Sequence, residues 1–381
     1  MDPTIALARG DKADYPESYS SDITELKISS DNYPDESRYF SGDSYERLQR
    51  GREIYKQRSF SNIATFVDPF TKLSQVFILD KGGLIMANID ALFKITHDVT
   101  NFITKRTSSK IIFVDIDGVP GGSVQYLQYR FLQSAGFGFA KRRGYQNSPG
   151  WSTAVTNMVV NSSDFETTYM GVEGNGDIAV EWRAFIKKAK DRFPAKPKNV
   201  KQGNFKDTVN TAINVCTFHG EPKNVKQGLL VCASTVEFGG DITCRFGDTV
   251  STTTASLIYL VSLCFEEIHL IRLISTNKFS PEKYLVCKRK KENIQIYLDM
   301  METPERINPS DLPIDFTKWL TKINDIHIGD ELFYISEAQK AVKERNNYIH
   351  PYAYDMLLPL TLFHLPQPDP LKLLGFELIY N

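Results

Sequence analysis

With 381 residues, 41% of them hydrophobic and 12% aromatic, the chain is long enough to bury one large core or two smaller ones. No stretch of roughly 18 residues is both uncharged and apolar throughout, as a membrane-spanning helix requires, so no membrane partner is expected. The formal net charge of −1 hides an uneven distribution: residues 1–46 carry four Lys/Arg against eleven Asp/Glu, whereas residues 183–206 carry nine Lys/Arg against one Asp.

The first 46 residues, rich in Ser and Tyr and poor in apolar periodicity, have the composition of a flexible acidic arm able to dock on a basic partner. Residues 46–60 (YERLQRGREIYKQRS) predict a polar, basic helix, and residues 77–104 an amphipathic helix centred on LIMANIDALFKI. The chain then enters IIFVDIDGVPGGSVQYLQYRFLQSAGFGFAKRR (111–143). Here an apolar, β-branched strand runs into a Gly/Pro turn (Gly118, Pro120, Gly121, Gly122) and out into a helical pattern. Glycines at such a turn let backbone approach a ligand closely, and the helix that follows presents free N–H groups. The pattern alone fits a nucleotide-like ligand or an ordinary strand-turn-helix corner.

From there strand and helix alternate: strand 111–117, helix 122–134, a short strand at 136–141, a loop-rich region to Gly176, helix 181–192 and a Pro/Lys-rich linker. A strand at 211–218, a helical stretch at 224–237, a strand at 241–246, helix 252–265, and strands at 267–274 and 283–289 follow. This alternation predicts an α/β fold, a mostly parallel sheet with helices on both faces. The last two strands have too short a connection for a crossover helix and should form an antiparallel edge hairpin. That combination is the Rossmann-like methyltransferase fold. Residues 292–381 add a mainly helical extension, with an amphipathic helix at 329–348 and a Pro/Leu/Phe-rich tail at 358–375 that packs back on the sheet or meets another chain. PKNVKQG occurs at both 197–203 and 222–228, which a local duplication explains.

Cys216, Cys232, Cys244, Cys264 and Cys287 all lie in apolar runs without a CxxC pair, and no secretory leader pattern opens the chain. They read as reduced core residues of an intracellular protein, nuclear or cytoplasmic. The six histidines lack metal-ligand spacing, so no metal site is expected. Lys187, Lys188, Lys190, Arg192, Lys196, Lys198 and Lys201 form a candidate RNA-binding run, helped by KRR (141–143) and KRKK (288–291). The alternative is a solvated face.

Residues 77–291 resemble the FtsJ-like ribose 2′-O-methyltransferases, in particular those that modify capped messenger RNA. The family's D-x-C-A-G-P-G-G-F-S-E-Y-x-x-W-R string is similar to DIDGVPGGSVQYLQYR (115–130), its R-A-A-M-K-M-A-N-M-D helix to KGGLIMANID (81–90), and its G-D-G-D-I-T to GNGDIA (174–179). Residues 239–288 resemble its closing strand, helix and S-E-x-Y-x-V-C-K segment. The resemblance implies a methyltransferase domain over 47–291 and an S-adenosylmethionine pocket around Asp115, Gly118, Pro120, Gly121, Gly122 and Asp177. Val119 stands there in place of a glycine.

The resemblance also implies a Lys-Asp-Lys-Glu catalytic tetrad, which orients a ribose hydroxyl and draws off its proton. Here the first lysine falls on Ile85, the aspartate on Phe218 or Thr217, and the second lysine on Arg245. Only Glu282 remains. Lys81, Asp241, Asp248 or His219 could rebuild the centre. The expectation is a catalytically impaired methyltransferase fold acting through RNA or protein assembly. The alternatives are an active cap 2′-O-methyltransferase with a relocated base, and a structural or virion-type protein using the fold as scaffold.

Overall fold

The computed structural model describes residues 18–21, 26–56, 79–95, 110–130, 133–153, 164–170, 174–194, 212–273, 275–277 and 279–344. Seven strands form one sheet: β1 (Lys110–Ile116), β2 (Gln133–Phe139), β3 (Asp164–Thr168), β4 (Val215–Phe218), β5 (Asp241–Phe246), β6 (Phe265–Ile271) and β7 (Lys283–Lys290). Their spatial order is β3-β2-β1-β4-β5-β7-β6. The first five are parallel, and β7 runs antiparallel between β5 and β6. This is the methyltransferase variant of the doubly wound sheet, with the edge hairpin where the short β6–β7 connection predicted it.

Alternation along the strands sorts the core into two layers. Val114 and Ile116 of β1 share one cluster with Cys216 and Phe218, and with Ile242, Cys244 and Phe246 of β5. That layer is covered by α4 (Ile178–Arg192), α5 (Val225–Thr235) and α6 (Thr252–Cys264), whose Phe185, Leu229 and Leu260 are fully buried. Ile111 and Phe113 face the other way, with Tyr284 and Val286, toward α1 (Ser44–Tyr55), α2 (Lys81–Phe93) and α3 (Gly122–Arg130). After the short α7 (Gln295–Met301), the 31-residue α8 (Ile314–Glu344) joins both layers. Its Phe316, Leu320 and Ile323 belong to the first cluster, and its Tyr334, Ile335 and Ala338 to the second.

Several boundaries differ from the sequence reading. The helix after the glycine turn stops at Arg130, and Gln133–Ala135 belongs to β2. The expected loop before Gly176 contains β3, an edge strand. The C-terminal helix starts at Ile314 rather than 329. The tail at 358–375, the first copy of PKNVKQG, and Lys196, Lys198 and Lys201 lie outside the described residues. The second copy forms a 3₁₀ turn at Pro222–Asn224 and the first turn of α5.

The arm is not uniformly free. Tyr19 is 7% exposed, pairs with Ile268 on the edge strand β6, and packs on Phe316 and Trp319. Tyr39 is also buried, and Ser37 bridges to Ser251. Two aromatic anchors are enough to lay an acidic, polar segment along the domain and shield a sheet edge.

All five cysteines are free and buried, as expected of core thiols. No helix among the described residues is long and apolar enough to cross a membrane, and no group of His, Cys, Asp or Glu among them could hold a metal.

Candidate functional site: the crevice between β1 and β4

The strand order reverses between β1 and β4, which opens a crevice beyond their C-terminal ends. The residues before and after this point line it from the α2/α3 side. Asp115 sits near the end of β1 with no exposure. Its Oδ2 accepts from the hydroxyl of Ser123, in the first turn of α3, and from Thr217 Oγ1 of β4 at 3.0 Å. Burial raises this carboxyl above its usual range, against the opposing pull of His219 and those two hydrogen bonds. Asp115 therefore ties two strands to the helix that leaves the turn.

The turn needs its glycines for steric reasons. A Cβ on Gly118 would fall 2.0 Å from Asp115 Oδ1, and one on Gly122 would fall 2.3 Å from Asp80 Oδ1. Asp115 Oδ1 has no aligned hydrogen bond, although the nearby Gly118 amide favours its ionised form. Asp117 follows with φ +56°, its carboxyl pushed up to about 7 by burial, with Lys141 opposing and Asp115, Asp177 and Glu221 adding to the rise. Asp177 caps α4 by accepting from Ala179 N at 3.1 Å. Gly176 before it has φ +75°, and a Cβ there would lie 1.9 Å from the Ala140 carbonyl oxygen, so both the backbone angle and the close approach call for glycine. The structure brings Gly118 to Gly122, Asp115 and Asp177 together, and adds Asp117, which the sequence reading did not name, to the acidic wall. Val119 packs against the second core cluster.

Such a cradle fits an adenosyl nucleoside: close backbone approach, a helix N-terminus, and carboxylates able to accept ribose or adenine donors. Asp115 has no exposure and its Oδ2 is bound within the chain, so it shapes the turn from beneath, and Asp117 and Asp177 are the carboxyls with exposed surface.

Other residues of the resembling motifs hold the framework. Tyr126 of α3 donates to buried Asp90 of α2 at 2.7 Å, and Arg130 Nε lies 3.4 Å from the same carboxylate. These contacts lock α2 onto α3.

The positions at which the resemblance places a reaction centre are Ile85, Phe218 or Thr217, Arg245 and Glu282. Ile85 is 4% exposed within the apolar second cluster. Phe218 is fully buried on the opposite face of the sheet, against Gly220 and Gly228, so Thr217 is the β4 side chain that faces the crevice. Arg245 and Glu282 do meet, with Nε 3.0 Å from Oε1. The Arg245 Nε–H is not aimed along that line, and Nη1 donates to the His219 carbonyl at 3.4 Å.

Of the neighbours that could rebuild the centre, Lys81 opens α2, and Asp241, Asp248 and His219 each have partners within the chain. Asp241 lies at the start of β5, bound to Lys288 and to the Arg289 amide, at the other end of the strand from Arg245. Asp248 is held by Arg52 at 2.7 Å. His219 turns both ring nitrogens inward: Nδ1 is 3.4 Å from the Tyr284 hydroxyl and Nε2 is 3.8 Å from Asp115 Oδ2.

Tyr284 is another residue that sequence reasoning missed. Burial raises its phenol well above the usual value, and the charges of Glu282, Asp115 and Asp80 raise it further while Arg245 opposes. Four charged groups from separate segments therefore converge on one hydroxyl. Its place in the S-P-E-K-Y segment was the only signal.

The basic stretches divide. α4 runs from Asp177 at the crevice to Arg192 near the opposite pole, where Lys190 lies close enough to Lys290 to repel it. Lys187 is exposed, Lys188 donates to Thr168 Oγ1 at 3.1 Å, and Arg192 pairs with Glu166 at 2.9 Å. The KRKK run is bound internally: Lys288 to Asp241, Arg289 to Glu266 and Glu267, Lys290 to the Val236 carbonyl and Lys291 to that of Ser21. By contrast, Arg142 and Arg143 are exposed beside the crevice, Arg142 over the Tyr169 ring at 5.6 Å.

No family model matches the chain. Curated relatives do. The chain is similar to cap-specific mRNA methyltransferases. It is 25% identical over 277 residues to cap-specific mRNA (nucleoside-2′-O-)-methyltransferase 1 of Homo sapiens, covering 66% of this chain and 30% of that protein. It is 24% identical over 359 residues to the Danio rerio protein of the same name, covering 84% and 39%. It thus spans about a third of the length of the curated relatives it matches. Among solved structures, human methyltransferase-like protein 13 in complex with SAH aligns at TM-score 0.29 and 10% identity, covering 72% of this chain and 96% of that one. At that score the likeness adds nothing to what the strand order shows.

Proposed function

We propose that this chain is a catalytically impaired methyltransferase-fold protein of the cap 2′-O-methyltransferase type, which keeps an S-adenosylmethionine-type pocket and acts by holding RNA. One observation carries the reading: at the positions where the resemblance expects a lysine and an aspartate stand buried Ile85 and inward-facing Thr217, and the ion pair of Arg245 and Glu282 is what remains of the tetrad. Arginine stays charged at any physiological pH and cannot accept a ribose proton. The pocket framework is supported separately by the steric need for Gly118 and Gly122 and by the acidic wall of Asp115, Asp117 and Asp177.

RNA is assigned first to Arg142 and Arg143, which are exposed beside the crevice, and then to Lys187, Lys188, Lys190 and Arg192, which lead toward the far pole and serve only a longer strand. Similarity to proteins named for acting on capped mRNA supports RNA as the partner. A protein partner at the acidic arm or the C-terminal tail belongs to the same proposal.

The test is methyl transfer from radiolabelled S-adenosylmethionine to capped RNA, run beside a mobility-shift titration. The expected result is no transfer above background, with salt-dependent RNA binding that weakens in an Arg142→Ala/Arg143→Ala double variant. Transfer abolished by Glu282→Ala would establish the alternative, an active enzyme. Absence of RNA binding at low salt would favour a scaffold role.

A further inference from the structure

The carboxylate of Asp80 lies where two helices begin. Its Oδ1 accepts from the Gly82 amide in the first turn of α2 at 2.6 Å, and its Oδ2 accepts from the amide of Gly122, the first residue of α3, at 3.0 Å. The Leu79 amide donates to Gln125 Oε1 at 2.7 Å, so the segment is fastened to the first turn of α3 at two points. The α3 N-terminus is the donor an anionic ligand group would seek at this turn. The chain has placed its own anion there.

A second carboxyl group is aimed at the same turn. Asp115 has no exposure, and its Oδ1 has no aligned hydrogen bond. It lies 2.0 Å from where a Gly118 Cβ would be. Asp117 and Asp177 extend the acidic surface, with Lys141 as the cation opposing it. An incoming carboxylate meets Asp80 already seated at its natural donor, with the buried Asp115 beneath the same turn. An incoming ammonium meets complementary charge.

We propose that Asp80 sets the selectivity of this pocket, so that it prefers an adenosyl nucleoside whose sulfur-linked side chain ends in an ammonium and lacks a carboxylate over one bearing a full amino-acid group. The inference rests on the reading of the crevice as a nucleoside pocket. It concerns binding alone and involves no bond change.

Titration calorimetry on the full chain tests it with three probes: S-adenosylmethionine, its decarboxylated form, and the neutral 5′-deoxy-5′-methylthioadenosine. The decarboxylated probe is expected to bind tightest, by about tenfold over S-adenosylmethionine. Asp80→Asn keeps a side-chain acceptor for one amide and removes the charge, and it should erase that preference. Asp80→Ser provides a second neutral variant should the first fold poorly. Gln125→Ala, which loosens the same segment without changing its charge, should leave the preference intact.

Equal or tighter binding of S-adenosylmethionine by the unmodified chain would overturn the inference, as would a ratio indifferent to the charge at position 80. Failure of every probe to bind would overturn it too, together with the nucleoside pocket. The impaired reaction centre, which is read by methyl transfer, would be unaffected.

Discussion

His219 and Tyr284 approach each other across the crevice, Nδ1 lying 3.4 Å from the phenolic hydroxyl, and this contact joins the end of β4 to the start of β7. It bridges 65 residues of sequence and brings two inner strands to one point. Tyr284 is 1% exposed, so its hydroxyl has no route to bulk water. Tyr284→Phe would leave a buried ring nitrogen without its partner. The expected cost is about 1–3 kcal/mol, read as a lower urea midpoint with unchanged slope. If the two groups act as a pair, His219→Phe in the same background adds less than it does alone.

Gly118 and Asp115 make a second coupled pair. A Cβ at position 118 would overlap Asp115 Oδ1 at 2.0 Å, so the turn must shift to admit it. Gly118→Ala should destabilise the chain by about 1–3 kcal/mol, the usual range for overpacking a close-packed site. Combining it with Asp115→Ser removes the offending oxygen. The double variant should be more stable than the sum of the single effects predicts, by a coupling of about 0.5–3 kcal/mol in denaturant titrations.

The legible parts of this fold are those set by local chemistry. Buried parallel strands such as β1 and β4 are apolar runs, helices carry their own period, and the glycine turn announces itself because only glycine fits. β3 was missed because DFETT at a sheet edge buries Phe165 and exposes Glu166, too short a pattern to stand out. KRKK read as a surface run because the strand that buries Lys288 against Asp241 is defined only by its neighbours. Asp80 and Tyr284 were invisible as site residues for the same reason, since Asp80 reaches Gly122 across 42 residues. The arm was read as free from its composition, and composition does not reveal that Tyr19 has a place on Phe316 and Trp319.

Asp117 predicts a pH dependence. Burial lifts its carboxyl from the ordinary 3.8 to about 7, so between those values the folded chain binds a proton that the unfolded chain has lost. Its contribution to stability is complete below about pH 4 and is lost as pH rises through about 7. Carboxyls held low by partners, such as Asp248 and Glu267, act in the opposite direction and mask the slope in the unmodified chain. The measurement is therefore a difference: melting temperature against pH for the chain and for Asp117→Asn. The variant should gain relative stability as pH rises from 5 to 8, and two parallel curves would contradict the assignment.

Arg52 on α1 is the centre of a charge network that fastens the outer helices to the strand ends. It donates to both oxygens of Asp248 at 2.7 and 3.1 Å and to both oxygens of Glu331 on α8 at 2.6 and 2.8 Å. Arg272 then reaches Glu331 at 3.1 Å and Asp330 at 2.7 Å. Lys283 lies inside the group, donating to Thr249 at 3.2 Å, its amine brought down to about 8 by burial against the pull of Asp248. Three cations thus face three carboxylates, with Arg52 and Arg272 side chains 12% and 2% exposed. Arg52→Met removes one cation and leaves the buried Glu331 and the one-third-exposed Asp248 undercompensated, which should cost about 3 kcal/mol in urea unfolding. Arg52→Lys should recover only part of that, because one ammonium cannot reproduce two bidentate contacts. The exposed Arg38–Glu36 pair gives the contrast: Arg38→Ala should change stability by no more than about 1 kcal/mol. Similar losses from the Arg52 and Arg38 variants would show that the network does not hold α1 and α8 to the sheet.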